Sequence, residues 1–207
     1  MKFKVKLLLL ALVFTQASFV SAEIQSIRNE PNKNKTIQID KTDKMIEVLK
    51  YIEQNLIVLY EILQTNRVLA VKAANGIYTW PQRESFDKSF QEMFKEAART
   101  IRRAKYKKYP LLNYTNPGWV PYIVLKLDKT DEPLVYKLPK INPENFGYET
   151  WSKNVKIGEP NIKTSMWSNS AFGDIDVAMT ELESELTLLG TVIRRIQIAK
   201  RVDRKVE

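Results

Sequence analysis

Residues 43–74 read DKMIEVLKYIEQNLIVLYEILQTNRVLAVKAA, and the spacing of their apolar side chains decides the fold. Met45, Leu49, Ile52, Leu56, Leu59 and Leu63 recur at alternating steps of four and three, which places them on one stripe of a helix with 3.6 residues per turn. Ile46, Ile57 and Tyr60 widen that stripe. Thr42 or Asp43 can cap the start by accepting a bond from a free backbone amide, and Gly76 can end the helix in the left-handed conformation. The pattern predicts a helix over about residues 43–74, about 48 Å long at 1.5 Å per residue.

Two further stretches repeat the signal. Pro81 suits a first helical turn, because its fixed φ is helical and its missing amide would have no partner there. Phe86, Phe90, Met93, Ala97, Ile101 and Ala104 then build a stripe that predicts a helix over about residues 82–108, stopped by Pro110. Arg99, Arg102, Arg103, Lys105, Lys107 and Lys108 crowd its end, where positive charge meets the negative end of the helix dipole. From an Asp174 cap, Ile175, Met179, Leu182, Leu186, Leu189, Ile193 and Ile196 predict a third helix over about residues 174–205, with Gly190 a weak point inside it. Glu181, Glu183 and Glu185 lie in its first half and Arg194, Arg195, Lys200, Arg201, Arg204 and Lys205 in its second, the order that complements the dipole. Three long amphipathic helices bury their stripes best against one another, so the fold class is mainly α, a three-helix bundle. Either direction of the third helix relative to the first is compatible with so long a connection.

That connection, residues 109–173, holds seven of the nine prolines and three of the four tryptophans. Proline at such density excludes a long helix, while Tyr122 to Leu127 and Leu134 to Leu138 are β-prone runs around a polar turn and predict a small hairpin. In front of the bundle, residues 23–41 are polar and lack an apolar period, which reads as a flexible leader. The single helical domain thus spans residues 42–207.

The first 22 residues read as a secretory signal peptide. Lys2, Lys4 and Lys6 form a positive n-region, Leu7 to Phe14 an apolar run too short to span a bilayer, and Val20 to Ala22 a small-residue cleavage site. Cleavage after Ala22 removes three lysines and lowers the formal charge of the chain from +9 to +6. The expected location is the periplasm or the cell surface. Without cysteine the chain has no disulfide and no lipid-bearing amino-terminal thiol, so packing alone must stabilise it.

The absence of histidine and cysteine argues against an enzyme: it removes the usual general base near neutral pH, the thiolate nucleophile and the zinc sites built from both. Ser85 with Lys88, Ser152 with Asn154, and Lys163 to Ser165 follow the order of the S-x-x-K, S-x-N and K-T-G patterns of penicillin-binding enzymes. The spacing between the second and third is too short, the third lacks its glycine, and there are too few strands for the sheet that presents it. No cofactor is implied.

Binding chemistry has two candidate sets. Trp119, Trp151 and Trp167 offer large contact area at low entropic cost for a protein partner, or else they seal the insertion onto the helices. Arg102, Arg103, Lys105, Lys107 and Lys108, interleaved with Tyr106 and Tyr109, can grip an anionic envelope polymer or lipid, or simply form a solvated helix end. Nucleic acid does not fit an exported chain. In outline, an exported bundle of long helices with one irregular appendage is similar to minor pilus subunits of conjugation-type secretion systems and to helical proteins that coat periplasmic flagella. The likeness is one of architecture, which does not fix function. The expected function is a non-catalytic structural or protein-interaction role in a bacterial envelope, associated with a filament, pilus or secretion apparatus; the alternative is binding of anionic polymer or lipid.

Overall fold

The computed structural model describes residues 36–39, 41–113, 122–125, 134–141 and 161–206. In chain order the elements are β1 (Thr36–Ile39), α1 (Thr42–Ala74), α2 (Trp80–Arg103), β2 (Lys105–Tyr106), β3 (Tyr109–Pro110), β4 (Tyr122–Leu125), β5 (Leu134–Lys137) and α3 (Ser165–Val206). The chain is mainly helical, with three helices and a small antiparallel hairpin between the second and third. The signal peptide, its cleavage site and residues 23–35 lie outside the described residues.

Side-chain rungs give the direction of α3. The Lys200 ammonium donates to Asp43, the Tyr60 hydroxyl donates to Glu183 at 2.5 Å, and the Arg67 guanidinium meets the Asp176 carboxylate at 2.6 and 3.4 Å. Moving forward seven residues on α1, from Tyr60 to Arg67, moves back seven on α3, and the seventeen from Asp43 to Tyr60 match the seventeen from Lys200 to Glu183. The two helices are therefore antiparallel and keep one register along their length. The same test holds for α2, whose Arg83 Nε donates to the Ala73 carbonyl at 2.9 Å while Asn66 Nδ2 donates to the Phe90 carbonyl at 3.3 Å.

All six residues of the first predicted stripe are fully buried, and so are Phe90, Ala97 and Ile101 of α2 and Ile175, Leu189 and Ile196 of α3. The stripe continues at the same spacing through Asn66, Ala70 and Ala73. Asn66 is a buried amide in an apolar seam, with Nδ2 tied to α2 and no partner for Oδ1 among the described residues. Such a residue costs stability and specifies which neighbour the seam accepts.

Four corrections to the sequence reading follow. The polar leader contains a strand: β1 pairs in parallel with β4, Thr36 opposite Tyr122 through Ile39 opposite Leu125. β4 pairs in turn with β5 in the predicted hairpin, Ile123 opposite Tyr136. Ile37, Ile123 and Tyr136 form one row across this sheet, and all three are buried in the same apolar core as the helical stripes. The partner that makes 36–39 a strand lies some 85 residues away, which no local pattern reveals. Second, α2 stops at Arg103 rather than near residue 108. The chain turns back as β2 and β3, closed by the Leu111 amide on the Ala104 carbonyl at 2.8 Å. Third, α3 begins at Ser165, inside the stretch read as irregular insertion, and Asp174 lies buried within it instead of capping it. Fourth, Thr42 and Asp43 lie inside α1, whose preceding residue Lys41 makes no side-chain cap, and Gly76 is not in the left-handed region; Asn75 ends the helix in extended backbone.

Candidate functional site

The bundle presents two chemically different ends. At the first, α1 finishes where α2 and α3 begin, and the last carbonyls of α1 must find donors. The Asn75 amide reaches the Lys72 carbonyl at 3.1 Å. Arg83 donates Nε to Ala73 and Nη2, at 3.1 Å, to the carbonyl of Asn75. The Ser165 hydroxyl donates to the Ala74 carbonyl at 2.9 Å, which stitches the start of α3 to the end of α1. The 75–79 loop is held just as closely, because Asn75 Oδ1 accepts the Ile77 amide at 3.1 Å and Gln82 Oε1 accepts the Thr79 amide at 2.8 Å. Tyr78 packs edge-on against Phe86 with centroids 5.1 Å apart.

A buried carboxylate anchors the approach to α3. Asp87 of α2 accepts the Ile162 amide at 2.9 Å, with the Lys163 ammonium 3.7 Å from its other oxygen. Thr164 then caps α3 by accepting the Trp167 amide at 3.2 Å, and Ser168 donates to the Thr164 carbonyl at 2.7 Å. On this polar, pinned frame three large apolar side chains stand exposed: Ile77 at 76%, Trp80 at 59% and Met166 at 72%. Exposed apolar residues scattered singly need no explanation; these three share the end of the bundle where α1 finishes and α2 and α3 begin.

Toward the other end, α2 finishes at Arg103, level with about residue 53 of α1 in the same register, and the β2–β3 hairpin follows it. Arg102, Arg103, Lys105, Lys107 and Lys108 are all exposed, and among the described residues none of them forms an ion pair. The β2–β3 hairpin pairs Tyr106 with Tyr109 across a two-residue turn, Lys107–Lys108. Lys107 has φ 54. That left-handed conformation costs an L side chain about 1–2 kcal/mol, which glycine avoids. The Lys107 ammonium lies 5.4 Å from the Tyr106 ring centre and that of Lys108 5.5 Å from the Tyr109 ring centre. At the start of α1, Glu47, and to a lesser degree the Tyr106 phenol, raise the proton affinity of Lys44. Lys200 and the exposed Arg201 reach the same end from α3.

The sequence-predicted residues thus divide. The five cations come together at one end, but Lys105, Lys107 and Lys108 sit on a hairpin past the helix. Trp167 is half-buried in the first turn of α3, near the apolar end, while Trp119 and Trp151 lie outside the described residues. Of the penicillin-binding-like patterns, Ser85 and Lys88 are exposed on α2, Ser152 and Asn154 lie outside the described residues, and Thr164 and Ser165 serve to cap and to tie α3. Among the described residues no group of three or more acidic side chains could hold a metal ion, and no helix is long and apolar enough to cross a membrane. Sequence reading missed Ile77, Trp80 and Met166. The available signal was an apolar cluster in 76–81, GIYTWP, that fits no helical or strand period.

Neither a family model nor a curated protein sequence matches the chain. Among solved structures, it is similar to the crystal structure of a flagellin from Bacillus cereus, at 20% identity over 75% of this chain and 84% of that one, with a TM-score of 0.61. It also aligns with a putative flagellar hook-associated protein from Vibrio parahaemolyticus, at 14% identity over 94% and 93% of the two chains, with a TM-score of 0.48. What the flagellin likeness establishes is a shared fold.

Proposed function

We propose that this chain is an exported, non-catalytic structural protein of a bacterial envelope that docks a protein partner, within a filament-type assembly, through the apolar end of its bundle. The observation that carries the reading is the exposure of Trp80, Ile77 and Met166 on a frame whose backbone groups are already bonded. Tryptophan is the commonest energetic anchor of protein interfaces, and a rigid frame lowers the ordering cost of using it. Burying each of the three contributes about 1.5–3 kcal/mol. Association costs at least about 4 kcal/mol, so three anchors alone sustain weak binding, and repetition in an assembly or further contacts must supply the rest. The bundle shared with a flagellin supports the filament-type setting, and the Lys2-to-Ala22 pattern supports export.

Affinity purification of the tagged mature chain after mild crosslinking in its native envelope, with mass spectrometry of the co-purified proteins, tests this. The reading expects near-stoichiometric recovery of one protein, or of a small set from one filament, pilus or channel, and loss of that recovery in I77S/W80S. Recovery of the chain alone, or an unchanged partner with I77S/W80S, overturns it.

A further inference from the structure

We infer that the β2–β3 hairpin is a docking tip for an anionic phospholipid surface, so that the end of the bundle opposite Trp80 faces a membrane. This stands apart from the proposed protein contact and would survive its failure.

A cationic run at the end of a helix is ordinarily explained by the helix dipole. Here that explanation covers only Arg102 and Arg103, because α2 ends at Arg103 and the remaining lysines lie beyond it. Lys105, Lys107 and Lys108 crowd three like charges into four residues, with no ion-pair partner among the described residues. One of them, Lys107, occupies φ 54, where glycine or asparagine would be more at ease. A two-residue hairpin requires a positive φ at its first loop residue but not a lysine there, so both the side-chain strain at Lys107 and the crowding of three cations are unfavourable choices that the turn itself does not demand. They are what a surface selected for a ligand retains.

Charge names the ligand as anionic, and shape chooses among anions. A linear polyanion is best gripped by a groove that follows it. Lys107 and Lys108 stand at the turn of a hairpin rather than along a groove, which suits contact with an extended flat surface. Tyr106 and Tyr109 lie half-buried behind the lysines, and tyrosine is the side chain that settles at headgroup level. The exposed Arg201 adds to the same field from α3, whereas Lys200 is neutralised by Asp43. With no apolar wedge at the tip, binding is electrostatic and reversible.

The test is cosedimentation of the mature protein with phosphatidylcholine vesicles, with or without about one-third phosphatidylglycerol. Each lysine near an anionic surface is worth about fivefold in affinity. K107N/K108N therefore lowers binding about 25-fold, while leaving thermal stability equal or slightly higher because asparagine tolerates positive φ. Binding of the parent protein also falls steeply as salt rises from about 0.05 to 0.5 M, where the screening length shrinks to a few ångströms. K88E, a reversal near the opposite end, serves as control and leaves binding within about twofold. Equal sedimentation with both vesicle types overturns the inference, as does K107N/K108N binding like the parent. Binding to heparin without binding to vesicles overturns it too, in favour of a soluble polyanion. Loss of stability in K107N/K108N would show that the lysines serve the fold.

Discussion

Replacing Asp87 by alanine removes the acceptor that α2 offers to the Ile162 amide at the approach to α3. Asp87 is 5% exposed, and its Oδ1 lies 2.9 Å from the amide of the fully buried Ile162. A hydrogen bond to a charged group contributes about 1.5–3 kcal/mol, and leaving a buried donor unpaired carries a penalty of about 1–3 kcal/mol. These two figures overlap, so the combined loss is about 2–4 kcal/mol. The Lys163 ammonium, 3.7 Å away and 46% exposed, adds little because solvent screens it. For a domain of this size each kcal/mol lowers Tm by about 2–4 °C, so D87A is expected to melt roughly 5–15 °C below the parent by circular dichroism. D87N keeps an oxygen acceptor in place and should lose less than half of that. A D87A loss below about 0.5 kcal/mol refutes the anchoring role. Equal losses in D87A and D87N would show that charge rather than the amide bond holds the loop.

Further expectations come from the helix seams and the sheet. Leu56, fully buried at the centre of α1, should lose about 2–5 kcal/mol on truncation to alanine, measured by urea unfolding. Arg67 and Asp176 are each about 40% exposed, so a double-mutant cycle should give a coupling of only about 0.5–1 kcal/mol that weakens with salt, even with Arg67 stacked 4.5 Å from the Phe172 ring centre. Burial, and secondarily the Glu185 carboxylate, raise the proton affinity of the Tyr136 phenol well above the usual range. A pKa raised in the folded state contributes stability that is complete below the unfolded value of about 10 and is lost as pH rises beyond it. Tm measured from pH 8 to 11.5 should therefore fall steeply above about pH 10, and Y136F should blunt that fall while costing little at pH 7, since the hydroxyl has no described partner.

The helical stripes were legible because each records its own burial in local spacing, and α1 departs from its predicted start by a single residue. The start of α3 was not legible. Ser165 to Gly173 contains three serines, an asparagine and a glycine, weak helix formers whose placement depends on Thr164, on Asp87 in another helix and on the end of α1. The end of α2 was misread for the opposite reason: Lys105 to Lys108 have ordinary helix propensity, and only the Tyr106–Tyr109 pairing and the Leu111-to-Ala104 bond turn them into a hairpin. β1 shows the limit most clearly, since four residues of alternating polarity carry no information about a partner in β4. The basic end of the site was thus visible in composition but not in shape. Its apolar end became visible only when α1, α2 and α3 brought Ile77, Trp80 and Met166 to the same end of the bundle.

Contact between this apolar end and a protein partner can be captured by a photo-crosslinking amino acid at position 80, with the same probe at the exposed position 88 as reference. Irradiation of the native envelope should yield one discrete adduct from position 80, of a size set by a single partner, and none of that size from position 88. No adduct at position 80, or the same diffuse products from both positions, would contradict the account.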